Sequence, residues 1–450
     1  MKPGTVAVVA LVVGWLVSMQ VVASLSGFQG PLHSLASDYV ATPVAGPVAW
    51  VGLGLAIVVL SPRQRMVAVL TAAALDALFA AARLLSNGVL AVGNGPLIVL
   101  TGLAVWVFWR WTGEQKAIAV RAIAYGFLLI IAVKIGDAWL HVVDLLRPTV
   151  LDQYVVLADH ALGQPSWMFG RMVDMGGPAV AGVLHAVYGQ LALAAMIVSI
   201  YQLRRARFGE WPRHLLVRSF LVLGLIGPVV YLAFPVIGPA YVFGVDGAGL
   251  QLGDYWPHVL PPTGFPPGVV PFDDSRARNC MPSMHTAWAL AIFLHTRTGP
   301  RWLRWGGAFW LVGTVSATLG FGYHYGVDLI AGAVLCLTVE SALREPVAGK
   351  SRVRLMLIAG GAASFAVLLG CFRYLAIEMA RYPVFFGPLM IGLLAVLGVT
   401  FYATFFRSAE REATFSRTQL MTDLSQFSST TVFSANRTLA DQPSSSNTGG

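Results

Sequence analysis

Apolar runs of about 20 residues recur along this 450-residue chain, from "TVAVVALVVGWLVSMQVVASLSGF" near one end to "PVFFGPLMIGLLAVLGVTFYATFF" near the other. A helix of that length crosses the roughly 30 Å of hydrocarbon in a bilayer. Hydrophobic residues make up 56% of the chain and charged ones only 11%, against about a quarter charged in soluble domains. Too little polar surface is available to cover such a chain in water. The runs are also too long, and lack the period-two alternation, for a membrane barrel. The fold expected is therefore all-α: a polytopic membrane helical bundle with about twelve transmembrane helices. Spans are expected near residues 5–27, 41–60, 66–83, 93–109, 122–147, 179–203, 215–237, 284–298, 303–322, 325–343, 355–372 and 384–406. The first run also has the composition of a signal peptide, with "VVAS" as its weak cleavage site, but is read as an uncleaved span because further spans follow at once.

The charges support this partition. With Lys2 inside, alternate loops carry "SPRQRM", "RWTGEQK", "RRARFGEWPRH", "RTGPRWLR" and "REPVAGKSRVR". Roughly 22 of the 30 Lys and Arg fall on that side, as positively charged cytoplasmic loops require. The net charge of +9 is thus a topology signal, and no nucleic-acid partner is expected. The chain is read as an integral, multi-pass membrane protein with both termini cytoplasmic. Two long outer loops are expected, near 148–178 and 238–283. The second is rich in Pro, Gly and Asp and cannot be helical throughout; its Tyr255, Trp256 and Phe265 suit the membrane interface. After about Phe406 the chain turns Ser/Thr-rich, and 407–450 is expected to be a disordered cytoplasmic tail. Its Asn436 sequon faces the wrong side and is read as chance. The three cysteines, Cys280, Cys336 and Cys371, form no paired motif.

One stretch breaks the apolar monotony: "RNCMPSMHTAWAL", from Arg278 to Leu290, places Ser283 and His285 where a span begins. A second, "GFGYHYGVDLIAG", holds His324 and Asp328. The two histidines are 39 residues apart (324 − 285), which suits one helix in, a basic turn, and one helix out, returning both to the extracytoplasmic face. His324 and Asp328 at i, i+4 share a helix face, so the carboxylate can orient the ring and leave its other nitrogen nucleophilic. His285 can then protonate a leaving group. Ser283 would cap its helix, whose free N–H groups favour an anion. Arg276 and Arg278 can supply a guanidinium fork for phosphate, though arginines there also serve as membrane flanks. These parts describe phosphoryl transfer through a histidine on a lipid.

"CMPSMH" followed by "HYGVDLIAG" resembles the type-2 phosphatidic acid phosphatase superfamily, and within it the inositol phosphorylceramide synthase-like branch. The resemblance covers about residues 117–343, a six-helix core. It implies His324 as the nucleophile forming a phosphohistidine, Asp328 as its partner, His285 as the general acid and Ser283 as a phosphate contact. It also implies a membrane phospholipid or sphingolipid substrate, with water or an alcohol such as inositol as acceptor, and no metal or other cofactor. The chain departs from the phosphatase pattern in two places. Thr318 stands where that pattern has Arg, six residues before the second His. The K-x6-R-P motif is absent before the long loop, where "FPVIGPAYVFG" (234–244) looks like the synthase-like branch. On this reading residues 1–116 are N-terminal transmembrane helices, 117–343 the phosphatidic acid phosphatase-like catalytic core, and 344–406 two C-terminal transmembrane helices.

Lys134, Asp137, His141 and Asp144 form one stripe of the fifth span. A Lys134–Asp137 pair stabilising the bundle is the plain reading; Asp144 and Arg147, near the outer end, are candidate head-group contacts, as are Tyr241 and Tyr323. Asp152 and Asp159 lie in the first long outer loop, expected to form a lid, with no role apparent. Zinc held by two His and one Asp is chemically allowed but has no further cue. A Ser283–His285 dyad is disfavoured because i and i+2 diverge on a helix. A plain lipid-phosphate phosphatase is the nearest alternative function. A transporter is the rival class, but no internal repeat is evident and the ionisable motifs sit at the outer end rather than the midplane.

Overall fold

The computed structural model describes residues 3–44, 46–242, 267–270, 277–347 and 349–406. Among these, helices carry the fold, and the one β feature is an isolated antiparallel bridge between Thr149 and Val269. The expected tail 407–450, Arg276, and the loop aromatics Tyr255, Trp256 and Phe265 lie outside the described residues.

In chain order, α1 (Pro3–Ser26) is followed by α2 (Pro31–Val40), α3 (Gly46–Ile57), α4 (Pro62–Leu85), α5 (Asn94–Arg110) and the long α6 (Gly113–Leu146). Then come α7 (Asp152–His160), α8 (Pro165–Gly189), α9 (Leu191–Leu203), α10 (Leu216–Ala233) and the short α11 (Pro239–Val242). The chain closes with α12 (Met284–Thr296), α13 (Arg301–Gly320), α14 (Gly326–Leu343), α15 (Ser351–Tyr374), α16 (Ala376–Arg381) and α17 (Pro383–Phe405).

Six of these are long and apolar enough to cross a membrane: α4, α6, α10, α14, α15 and α17. The number rises to eight if α1 with α2, bent by 91°, and α8 with α9, bent by 54°, each count as one span. Twelve spans were expected; six to eight meet this measure of length and hydropathy. Helices do form where α3, α5 and α12 were expected, but they stop at 12, 17 and 13 residues. At 20 residues α13 has the length, but Arg301, Arg304 and a Gly/Ser/Thr-rich second half dilute its hydropathy. The expected outer loop 148–178 is also largely helical, holding α7 and the first half of α8. Gly177 at φ 67°, followed by Pro178, kinks α8 where the sequence suggested a span would start.

Packing is arranged around α14. Of its apolar window 83% is buried, against 17% for α17, so α14 is a protein-enclosed axis and α17 is an outer helix. Close approach sets the position of α12 against it: a Cβ on Gly332 would lie 2.3 Å from the Ser283 carbonyl oxygen. A second tight crossing joins α3 to α6, where a Cβ on Gly126 would lie 2.5 Å from the Gly52 carbonyl oxygen. Small residues at such crossings let helix backbones meet where no hydrophobic drive exists between them.

The N-terminal helices are tied by buried polar groups. Asp76 of α4 accepts from the N–H groups of Gly93 and Gly95 at the start of α5 and from Trp50 Nε1 of α3. Lys134 of α6 pairs with Asp38 of α2 at 2.7 Å and donates to Ser34 Oγ at 2.8 Å. The expected partner was Asp137; the structure gives Lys134 to α2 instead. A lysine so enclosed needs a charged partner, and Asp38 supplies it.

A second buried network closes the opposite end of the α12–α14 pair. The Leu216 N–H donates to Gln202 Oε1, which aims the Gln202 amide NH2 at His295 Nδ1 (2.7 Å). His295 Nε2–H is then left to donate to Glu340 Oε1 at 3.2 Å, while His214 and Arg344 hold Oε2. Glu340 is fully buried. Breaking such a network from one side leaves uncompensated charge and costs about 3–5 kcal/mol. Glu340→Ala is expected to lower the unfolding temperature in detergent sharply; an unchanged transition would contradict this structural role.

Candidate active site

The turn between α13 and α14 carries His324. Its backbone is fixed from three sides: the N–H groups of Tyr323 and His324 both donate to the Thr318 carbonyl, and Ser166 Oγ donates to the His324 carbonyl at 2.8 Å. Thr318 is itself buried, its hydroxyl turned back onto Thr314. At this position the chain uses a backbone acceptor to shape the turn, not a cation.

Asp328 opens α14 one turn later. Its Oδ2 accepts from the Tyr325 N–H at 2.8 Å and from Cys280 Sγ at 2.7 Å, and lies 3.5 Å from His324 Nδ1. The last distance is an electrostatic contact, beyond a good hydrogen bond. Cys280 Sγ also sits 3.4 Å from His324 Nδ1. Burial beside Asp328 and Asp152 pushes the thiol well above its ordinary value, so it stays protonated and serves as a donor. Cys280, His324 and Asp328 bring one donor atom each within 4.8 Å of one another, as do His214, His295 and Glu340. These are the two sets among the described residues with the chemistry of a zinc site; in the second, Arg344 already neutralises the carboxylate.

His285 reaches the same place from α12. Ser283 Oγ caps that helix by accepting from the Thr286 N–H, and the Ser283 N–H donates to the Asp328 carbonyl at 3.1 Å. The starts of α12 and α14 are thereby joined through backbone. The ring centroids of His285 and His324 lie 6.5 Å apart, inclined by 59°. His285 stacks on Tyr188 of α8 at 4.1 Å, with the Tyr188 hydroxyl 3.2 Å from Nδ1. Both imidazoles line a cavity of about 680 Å³, together with Tyr241, Tyr323 and Asn279. Such a volume lies within the range of small-molecule sites. Burial brings the His324 pKa down to about 4, so its imidazole is neutral at pH 7.

The remaining expected contacts are placed differently. Arg278 is fully buried; its N–H donates to Asp144 Oδ1, its Nη1 lies 3.4 Å from the same oxygen, and its Nη2 donates to the Val270 carbonyl. This ion pair anchors the segment before α12 to the end of α6. Arg278, Asp144, Arg147 and Ser283 are not among the residues lining the cavity, whereas Tyr241 and Tyr323 are. Asp137 lines it too.

Asp152 and Asp159, unexplained by sequence, hold the centre from behind. Asp152 accepts from the N–H groups of Ile237 and Gly238 and from the Tyr325 hydroxyl. Asp159 Oδ1 accepts from the Val327 N–H at 3.0 Å, at the N-terminus of α14. Burial raises Asp152 to about 6 and, with Asp328 nearby, Asp159 to about 8. An acid whose folded-state pKa is raised binds its proton more tightly when folded, so its stabilising contribution is lost as pH rises through that value. Asp159→Asn keeps an acceptor without the charge. It is expected to reduce the fall in unfolding temperature between pH 7 and 9; an identical pH dependence in the two proteins would contradict the assignment.

Together, fold and site define an integral, multi-pass membrane protein with two imidazoles and a carboxylate gathered at one end of a helical core. Residues 153–341 match the family model of the PAP2 superfamily, a stretch that contains His285, His324 and Asp328. Residues 4–142 match a domain of unknown function (DUF5933). No curated protein and no solved structure matches the chain. Tyr188 carried no sequence signal, being one aromatic in an apolar helix. Cys280 had a weak one, since it lies within the same short segment as Ser283 and His285.

Proposed function

We propose that the protein is a lipid phosphatase or head-group phosphotransferase that works through a phosphohistidine on His324. The observation that carries this reading is the approach of His285 and His324 to 6.5 Å across one cavity, with Asp328 behind the second ring. His324 turns Nδ1 toward Cys280 and Asp328, which leaves Nε2 for attack on phosphorus. The imidazolium charge that develops is met by the Asp328 carboxylate. His285, protonated as the anionic phosphate enters the cavity, donates its Nε2 proton to the departing alcohol and becomes neutral; the Tyr188 oxygen, 3.2 Å from Nδ1, accepts from the other ring N–H and orients the imidazolium. In the second half-reaction His285 takes a proton from the acceptor, which attacks the phosphohistidine and frees His324.

The substrate proposed is a phospholipid or sphingolipid presented from the extracytoplasmic leaflet, with the termini cytoplasmic. The acceptor is an alcohol such as inositol, in the manner of the inositol phosphorylceramide synthase-like branch, or water in a plain phosphatase. Thr318 and the "FPVIGPAYVFG" segment favour the first. Arg276 remains the proposed cation for phosphate, whereas Arg278 is committed to Asp144 and the Val270 carbonyl. Purified protein in detergent, given phosphatidic acid, or phosphatidylinositol together with ceramide as the lipid alcohol acceptor, should release phosphate or form a new phospholipid. Solute counterflow in liposomes without any lipid conversion would instead establish a transporter.

A further inference from the structure

The cavity at the two histidines is not built by the PAP2-matching segment alone. Leu129, Val133, Gly136 and Leu140 line it from α6, within the part of the chain that matches the domain of unknown function. Their spacing of four, three and four residues puts them on one helix face, and eleven residues of helix rise roughly 16 Å. Leu221, Gly224, Pro228 and Tyr231 line it from α10 with the matching spacing of three, four and three. Val48 and Val51 of α3 and Ala192 and Ala195 of α9 complete the wall. Both long stripes run in the same sense, because the ends of α6 and α10 lead to the segments that surround His324. The polar lining groups Asp137, Asn279, Tyr241 and the imidazoles gather at that end, and the residues below it are apolar or small.

We infer that the N-terminal segment completes a slot, between α6 and α10 with α3 and α9 as its sides, that takes an acyl chain of a phosphate-bearing lipid while its head group meets His285 and His324. This rests on the phosphoryl-transfer reading for the head group, but the slot has its own evidence in the two facing stripes. A depth of about half the roughly 30 Å hydrocarbon layer suits an extended aliphatic chain and is far more than a head group needs. Glycines at 136 and 224 keep the slot open. A Cβ on Gly136 would meet nothing within 4 Å, so a larger side chain there enters the cavity without striking backbone. The N-terminal segment thereby selects lipids by their chains.

The test uses the full-length protein in detergent and a phosphatidic acid carrying a diazirine within one long acyl chain. Irradiation and peptide mapping should place the label on α6, α10 or α3 residues of the slot, and excess long-chain phosphatidic acid should compete it away better than the dioctanoyl form. Label confined to outer helices such as α17, or label that no lipid competes, would overturn the slot. In parallel, Gly136→Phe should lower the ratio of long-chain to dioctanoyl turnover about tenfold or more, since pockets discriminate aliphatic groups on that scale. An unchanged ratio would overturn the slot while leaving the chemistry intact. Slot labelling in a protein that converts no lipid would do the reverse, removing the enzymatic reading and leaving the chain-binding site.

Discussion

His324→Ala protein is expected to lose turnover of its lipid substrate by on the order of 10⁴-fold or more, as when a covalent nucleophile is removed. The loss should appear with every substrate, whatever its leaving group, because among the described residues no other side chain at the centre stands ready to attack. Cys280 is the nearest candidate, but its thiol is pushed up by burial and donates to Asp328. The fold should survive. The turn is held through backbone by Thr318 and Ser166, and Asp328 keeps its bonds from Tyr325 and Cys280. A variant with wild-type turnover would end the nucleophile assignment. One that loses both turnover and its unfolding transition would show the ring to be structural. With its pKa near 4, the His324 imidazole is the reactive neutral form at pH 7 and loses nucleophilicity only as pH falls through about 4. The acid limb of the rate profile should therefore lie well below the ordinary histidine range.

His285→Ala should cost about 10²–10⁴-fold, the usual contribution of a positioned general acid. Unlike the first loss, it should depend on the leaving group. A lipid alkoxide is a poor leaving group and needs the proton, whereas a nitrophenolate leaves without one. Activity on a nitrophenyl phosphate ester should fall much less than activity on the lipid. Equal losses on both would remove the general-acid role. Tyr188→Phe keeps the stacked ring and removes the hydroxyl that orients the His285 ring through Nδ1; it should show a smaller version of the same leaving-group dependence.

Much of the centre was legible because its signals are local. Ser283 and His285 interrupt an apolar run, His324 and Asp328 share a helix face by spacing alone, and 39 residues is the length of one helical hairpin that brings the second histidine back to the first. What surrounds them was not legible, because it arises from helices distant in sequence. Tyr188 meets His285 from 97 residues away, and Asp152 reaches Tyr325 across 173. The pairing of Lys134 with Asp38 across helices, in place of the Asp137 one turn away, was not legible for the same reason. The lower span count has different grounds. Apolar composition marks a helix as buried in something, and α3 and α12 are buried in protein more than they are long enough to cross lipid. Conversely, the kink at Gly177 and Pro178 hid the first half of α8.

The most direct measurement of the central claim is capture of the covalent intermediate. Brief exposure of the purified protein to lipid labelled in its phosphate, followed by alkaline quench and peptide mapping, should find an acid-labile, alkali-stable phosphate on the peptide bearing His324. The label should accumulate in the absence of a good acceptor and disappear when one is added. Active protein that never acquires label, or acquires it on a residue other than His324, would contradict the account.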